Sequence, residues 1–260
     1  MSAPSPSLAV LNDRSRPLAL LQNLAYALGV PLVDTPQEAS LLLRFSLDRL
    51  ELCKPGDPTL PGALRVDFSE TDARRRNLHP GRELVVQAAK VRSSRQPLLI
   101  DATAGLGRDG FLLAAAGFRV QMIEYNPVVA ALLADGLERA GGLTGLADTA
   151  ARIRLLQGNA LDYLAAPTEW PDVVYLDPMF PERSKSALVK QELRLLQLID
   201  NKNTDPTQLL RAALNIHARK VVVKRPLKGP CLVAAPPAYS LKGRAIRFDV
   251  YVGTGKREVP

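Results

Sequence analysis

The chain carries acids and glycines at spacings that suit a nucleoside-bearing cofactor. The segment Asp101-Ala102-Thr103-Ala104-Gly105-Leu106-Gly107-Arg108-Asp109-Gly110 follows a buried apolar run and opens a helical pattern. Gly105 and Gly107 let the backbone approach a ligand closely, and the helix behind them offers free N–H groups to an anion. A second apolar run ends in Glu124, whose carboxylate can accept hydrogen bonds from both hydroxyls of a ribose. The pattern Gly105-x-Gly107-x-x-Gly110 also satisfies the dinucleotide fingerprint, so the glycines alone leave NAD open. Two acids decide the preference. Asp101 repels a pyrophosphate but suits the ammonium of a methionine, and Asp109 adds negative charge where a dinucleotide places its phosphates. S-adenosylmethionine is the expected cofactor.

A second constellation is Tyr175-Leu176-Asp177-Pro178-Met179-Phe180-Pro181. An acid, then proline, then an aromatic two residues on suits methyl transfer to an exocyclic amine. The lone pair of such an amine is delocalised into its ring, which makes it a poor nucleophile. Hydrogen bonds from the amine to the Asp177 carboxylate and the Pro178 carbonyl favour a pyramidal nitrogen. Phe180 is placed to stack on the base, a contact worth ~1–3 kcal/mol. Asp177, Pro178 and Phe180 are therefore the expected catalytic residues. In Gln157-Gly158-Asn159-Ala160, the amide of Asn159 suits either the adenine edge of the cofactor or the start of a helix. Arg183, Lys185 and Lys190 follow the second constellation, and Lys224 and Arg225 end a later apolar run. These five are expected to form a cationic rim that grips RNA phosphates. A separate run, Arg74–Arg76, reads equally as a solvated face or a further contact.

The elements that must position these groups follow from the pattern. From about residue 81 the chain alternates strand-like and helix-like segments, which predicts an α/β fold with a doubly wound, mainly parallel sheet. The strand-rich end, near PPAYSLKG and IRFDVYVG, predicts an antiparallel edge. Residues 1–80 are interrupted by prolines around one helical pattern, PLALLQNLAYALG, and the strand-like pieces LLLRFSLDRLELC and ALRVDFSE. They predict a small N-terminal α+β domain, with the larger domain over 81–260.

Composition bounds the function classes. With 260 residues, 47% hydrophobic and 23% charged, the chain is neither wholly disordered nor a coiled-coil rod. No apolar run approaches the ~20 residues of a membrane span, so no membrane partner is expected. Two cysteines and two isolated histidines exclude a disulfide scaffold and predict no metal site. The first residues lack a basic start followed by an apolar stretch, so a cytoplasmic location is expected. A net charge of +8 favours a polyanionic partner.

The segments DATAGLGRD, NPVVAALL, VVYLDPMFP with KSALVK behind it, VVVKRP and RFDVYVG together resemble the ribosomal RNA small subunit methyltransferase J family. The resemblance spans most of residues 98–252 and implies a class I, Rossmann-like methyltransferase. It implies methylation of N2 of a guanosine near the 3′ end of small-subunit (16S) ribosomal RNA, with free RNA and the assembled small subunit both open as substrates. It also implies cofactor contacts at Arg108 and Asp109, Glu124 and Tyr125, Asn159 and Ala160, and Asp177. Tyr125 stands where the family commonly has arginine, and Asn159 and Ala160 where it commonly has serines. An NAD-dependent oxidoreductase and a non-catalytic nucleic-acid-binding module are the alternatives that the residues leave open.

Overall fold

The computed structural model describes residues 7–69, 79–92, 96–178, 187–199 and 205–253, with only the backbone for 187–190. In chain order, the first strands and helix are β1 (Leu8–Leu11), α1 (Leu18–Leu28), β2 (Leu32–Val33), β3 (Leu41–Ser46) and β4 (Arg49–Cys53). Next come α2 (Leu84–Ala89), β5 (Leu98–Asp101), α3 (Arg108–Ala115), β6 (Arg119–Glu124), α4 (Pro127–Gly141) and α5 (Ala147–Ala150). They are followed by β7 (Ile153–Gln157), α6 (Ala160–Ala165), β8 (Val173–Leu176), α7 (Ala187–Ile199) and α8 (Pro206–Asn215). The chain then finishes in β9 (Lys220–Pro226), β10 (Tyr239–Lys242) and β11 (Ile246–Val252). These elements form two compact units.

One unit comprises the described residues up to Asp67, together with Asn126–Gly136 and α7. Its sheet has the order β2-β1-β3-β4, with β1 parallel to both neighbours and β3 antiparallel to β4. The piece LLLRFSLDRLELC is a hairpin, because Ser46 pairs with Arg49 across Leu47 and Asp48. Both turn residues have positive φ, at 48° and 63°, which matches the twist of the flanking strands without a glycine to signal it. By contrast, the described residues of ALRVDFSE form no strand and make an isolated bridge, from Leu64 to Leu52. Ala9, Leu11, Val33, Leu42 and Cys53 close a small core. Within the same unit, the Asn126 amide donates to the Ile199 carbonyl at 2.7 Å, and Arg194 reaches the Thr59 hydroxyl at 3.1 Å.

The other unit holds a seven-stranded sheet of order β10-β11-β9-β8-β5-β6-β7. Neighbours from β7 to β9 run parallel, and β11 runs antiparallel to both β9 and β10, as the sequence predicts for the edge. Central strands β5 and β8 are apolar throughout apart from Asp101 and Tyr175, since helices cover both faces. Alternation divides their residues between two layers. Ile100, Val174, Leu176, Val221 and Val223 pack with Leu164 of α6 and Leu209, Leu210 and Ala213 of α8. Asp101 and Met122 face the opposite way, toward α3. Gly110 permits this approach, because a Cβ there would lie 2.5 Å from Met122 Cε and 2.9 Å from Asp101 Oδ2.

Register then brings the strand ends to one edge. Asp101 lies beside Met122 and Tyr175, Glu124 beside Gln157, and Leu176 beside Val223. At the antiparallel side, Arg247 and Asp249 form a buried pair on one face of β11. The guanidinium donates from Nε to Asp249 Oδ1 at 2.8 Å and from Nη2 to Oδ2 at 3.0 Å. Its Nη1 also serves the carbonyls of Pro226, Leu227 and Gly229, which ties down the loop after β9. Asp249→Ala is expected to lower the unfolding free energy by about 3–5 kcal/mol, because it leaves a buried guanidinium without its counter-charge. Urea denaturation with an unchanged slope and a lower midpoint is the measurement that checks it.

Candidate active site

At the carboxyl edge of the parallel strands, the turn after β5 is built from its own backbone. Gly105 and Gly107 have φ of +53° and +72°, the left-handed region that glycine adopts without strain. The Gly107 N–H donates to the Ala104 carbonyl at 2.8 Å, closing the turn. Glu124, at the end of β6, accepts the Gly105 N–H at 2.8 Å through Oε2. The ribose-binding candidate therefore also shapes the glycine turn. A Cβ on Gly105 would find no atom closer than the Thr103 carbonyl at 3.9 Å, so the backbone there borders open space.

Asp101 ends β5 and is buried, with 1% of its surface exposed. The Thr103 N–H donates to its Oδ1 at 3.1 Å. Burial pushes the Asp101 carboxyl up to about 8, and the negative charges of Asp109, Asp177 and Glu124 push in the same direction. The neighbouring Thr103 hydroxyl accepts the Asp177 N–H at 2.6 Å, linking the turn after β5 to the segment after β8.

The Lys224 ammonium lies between two carboxylates. It donates to Asp109 Oδ2 and to Asp177 Oδ2, both at 2.7 Å. The same Asp109 oxygen accepts the Tyr175 hydroxyl at 2.7 Å. Burial works against the Lys224 charge, but Asp109 and Asp177 outweigh it and raise its pKa above the ordinary lysine value. Burial, then the same acids, hold the Tyr175 phenol well above its usual range, so it stays a donor. Asp101, Thr103, Asp177, Lys224, Asp109 and Tyr175 thus form one hydrogen-bonded group spread over β5, α3, β8 and β9.

Not every expected site residue joins this group. Asn159 caps α6, its Oδ1 accepting the Leu161 N–H at 3.0 Å, and Ala160 packs its methyl into the core beneath that helix. Arg108 and Tyr125 are exposed at the same edge. Pro178 is buried directly after Asp177. Phe180, Arg183, Lys185 and the Arg74–Arg76 run lie outside the described residues, as does the side chain of Lys190.

The expected pairing of Lys224 with Arg225 in one phosphate-gripping rim needs correction. Successive strand residues point to opposite faces, so the two cannot share a rim. Lys224 turns toward α3 and its acids. Arg225, 3% exposed, turns the other way and donates from Nε to the Pro230 carbonyl at 3.1 Å. Thr103 and Tyr175 were not singled out as site residues from sequence. The same alternation, applied to Asp101 and Tyr175 in adjacent strands, is the signal that places the phenol beside the acids.

Among the described residues no helix is long and apolar enough to cross a membrane, and no group of three or more His, Cys, Asp or Glu side chains is placed to hold a metal ion.

A doubly wound sheet with a glycine turn after its first strand, an acid ending the second and an Asp-Pro segment after the fourth defines a Rossmann-like methyltransferase. Comparison with known proteins agrees. The family model described as "Putative SAM-dependent methyltransferase" matches residues 25–253. A ribosomal RNA small subunit methyltransferase J from Pseudomonas aeruginosa is 46% identical over 230 residues, covering 87% of each chain. That of Thioalkalivibrio sulfidiphilus is 43% identical, covering 88% of this chain and 91% of its own. The crystal structure of a SAM-dependent methyltransferase from Neisseria gonorrhoeae superimposes with a TM-score of 0.74 at 34% identity, over 97% of this chain and 98% of that one. The chain belongs to the ribosomal RNA small subunit methyltransferase J family of S-adenosylmethionine-dependent methyltransferases. The oxidoreductase and non-catalytic alternatives fall with that membership.

The donor set fits the cofactor, since an open glycine turn, a ribose-type acceptor and a buried acid suit a cationic nucleoside without phosphates. The Asp101 carboxyl also sets a pH signature. Its folded pKa of about 8 lies above the ordinary 3.8, so the folded chain holds an extra proton between those values. Its contribution to stability is present at low pH and is lost as pH rises through the folded pKa. Asp101→Asn is expected to unfold with less loss of stability than wild type between pH 5 and pH 8, a range set by that shift. Denaturant midpoints across the range, without cofactor, test this.

Proposed function

We propose that the enzyme methylates the N2 amine of a guanosine in small-subunit ribosomal RNA. The observation that carries this reading is the Asp177 carboxylate. It is fixed at the sheet edge by Lys224 on one side and by its own N–H on Thr103 on the other. The substrate named for the relatives and the net charge of +8 support RNA as the partner. When bound, S-adenosylmethionine supplies a methyl group on a positively charged sulfur, open to direct displacement by an amine.

The side chains divide the remaining work. Glu124 offers its carboxylate to the ribose hydroxyls while its Oε2 keeps the Gly105 N–H, so turn shape and cofactor affinity rest on one residue. Asp101 is the acid assigned to the methionine ammonium, as the carboxyl that ends β5 beneath the turn. Asp177 and the Pro178 carbonyl accept hydrogens from the target amine and direct its lone pair toward the methyl carbon. Catalysis then comes from positioning and from fixed charge. The amine proton leaves to water after transfer, and no residue needs to act as a covalent nucleophile.

Two outcomes test this division. Glu124→Ala is expected to weaken S-adenosylmethionine binding about tenfold or more, the worth of charge-assisted hydrogen bonds to the ribose. Titration calorimetry on the folded variant measures it. Asp177→Ala is expected to slow single-turnover methyl transfer by roughly 10²–10³ at saturating RNA while RNA affinity holds, because phosphate contacts dominate affinity. Asp177→Asn should keep part of the rate, since its amide oxygen still accepts one hydrogen bond. Transfer of labelled methyl to small-subunit RNA, followed by mapping of the modified base, tests the substrate itself.

A further inference from the structure

Lys224 has a position that simple charge balance does not require. Its ammonium bridges two carboxylates on separate elements: Asp109 in the first turn of α3 and Asp177 after β8. The bridge follows from register, because Leu176 pairs with Val223 and so the next residues on each strand, Asp177 and Lys224, come together. Three acids, Asp109, Asp177 and Glu124, act on the buried Asp101 at this edge, and Tyr175 points its hydroxyl at Asp109. The Lys224 side chain is 24% exposed, so water screens it only in part. Such a cation favours the charged form of both partners and restricts where their oxygens point.

We propose that Lys224 is a positioning residue for methyl transfer, locking the target-side carboxylate Asp177 to the cofactor-side carboxylate Asp109 and keeping both ionised. The inference rests on the reading of Asp177 given under Proposed function. Without the ammonium, Asp177 loses the positive charge that stands between it and Asp109. It then takes up a proton more readily and loses its fixed direction. A protonated Asp177 has one fewer acceptor site for the amine, and the hydrogen bond it keeps is weaker. With the ammonium in place, Asp177 is a poor base, which agrees with loss of the amine proton to water. The lock also couples the two halves of the site, because any movement of α3 at the glycine turn reaches Asp177 through Lys224.

The test compares wild type with Lys224→Gln, which keeps a hydrogen-bond donor but loses the charge, and with Lys224→Arg, which keeps the charge. The first readout needs neither cofactor nor RNA: carboxyl-carbon NMR titration of Asp109 and Asp177. In wild type both are expected to titrate below the ordinary aspartate range. In the glutamine variant both should move up by roughly one to three units, the effect of removing an adjacent opposite charge. The arginine variant should stay near wild type. The second readout is single-turnover methyl transfer against pH, with RNA affinity measured alongside. The glutamine variant should lose about 10²-fold in rate near neutral pH, its acid limb should shift upward, and its RNA affinity should stay within about twofold. Unchanged titrations in the glutamine variant, or a loss of RNA affinity as large as the loss of rate, would overturn the proposal. If that variant does not fold, ordinary aspartate values for both carboxyls in wild type overturn it equally. If wild type transfers no methyl to RNA, the substrate reading fails, while the NMR titrations still judge Lys224.

Discussion

The crowding of Asp109, Asp177 and Glu124 around the buried Asp101 is the constraint around which this edge is arranged. Four carboxylates brought together without compensation would drive the strand ends and the glycine turn apart. Each acid is answered differently. Lys224 stands between Asp109 and Asp177, and Tyr175 adds a neutral donor to Asp109. Glu124 takes a backbone N–H from the turn it supports. Asp101 is buried under Gly110 and titrates near 8, so at neutral pH it holds a proton for most of the time. The result is an edge rich in acceptors, suited to a cofactor that arrives with positive charge.

The same bonds give the site its stiffness. Thr103 spans from the β5 turn to Asp177, and Lys224 spans from β9 to α3, so these elements are tied to one another at the edge. Parallel strands supply the framework, since their register sets which side chains meet at the carboxyl ends. An aromatic amine needs such a framework because it is a weak nucleophile. Most of the help a protein can give it is orientation and fixed charge, and both depend on groups that do not move.

The basic residues show why net charge does not locate a binding surface. Arg225 and Arg247 lie opposite each other on adjacent strands and serve carbonyls of the loop after β9. Their charge is internal, so neither contributes to a cationic surface. A guanidinium with five donors is well suited to holding a loop that forms neither helix nor strand. Lys224 is likewise committed to carboxylates. Of the two cations that read as an RNA rim in the sequence, Lys224 therefore pairs with the acids of the edge and Arg225 holds the loop after β9.

Much of the function was legible without a structure because it depends on local chemistry. A turn that needs positive φ selects glycine, so Gly105 and Gly107 mark a tight turn after an apolar strand. The acid at Glu124 and the Asp177-Pro178 pair are meaningful by type and by place in the alternation of strands and helices. That alternation also specified the parallel sheet, and the strand-rich end its antiparallel edge. The Leu47-Asp48 turn is not legible in this way, since leucine rarely adopts the left-handed conformation that both residues hold here. What only the tertiary structure decided is which distant groups meet. Lys224 is 115 residues from Asp109 and 47 from Asp177, and their contact depends on the offset between strands and on which face of β9 looks toward α3. Neither is encoded in any short stretch of sequence, because strand register and helix placement are settled by packing of the whole sheet.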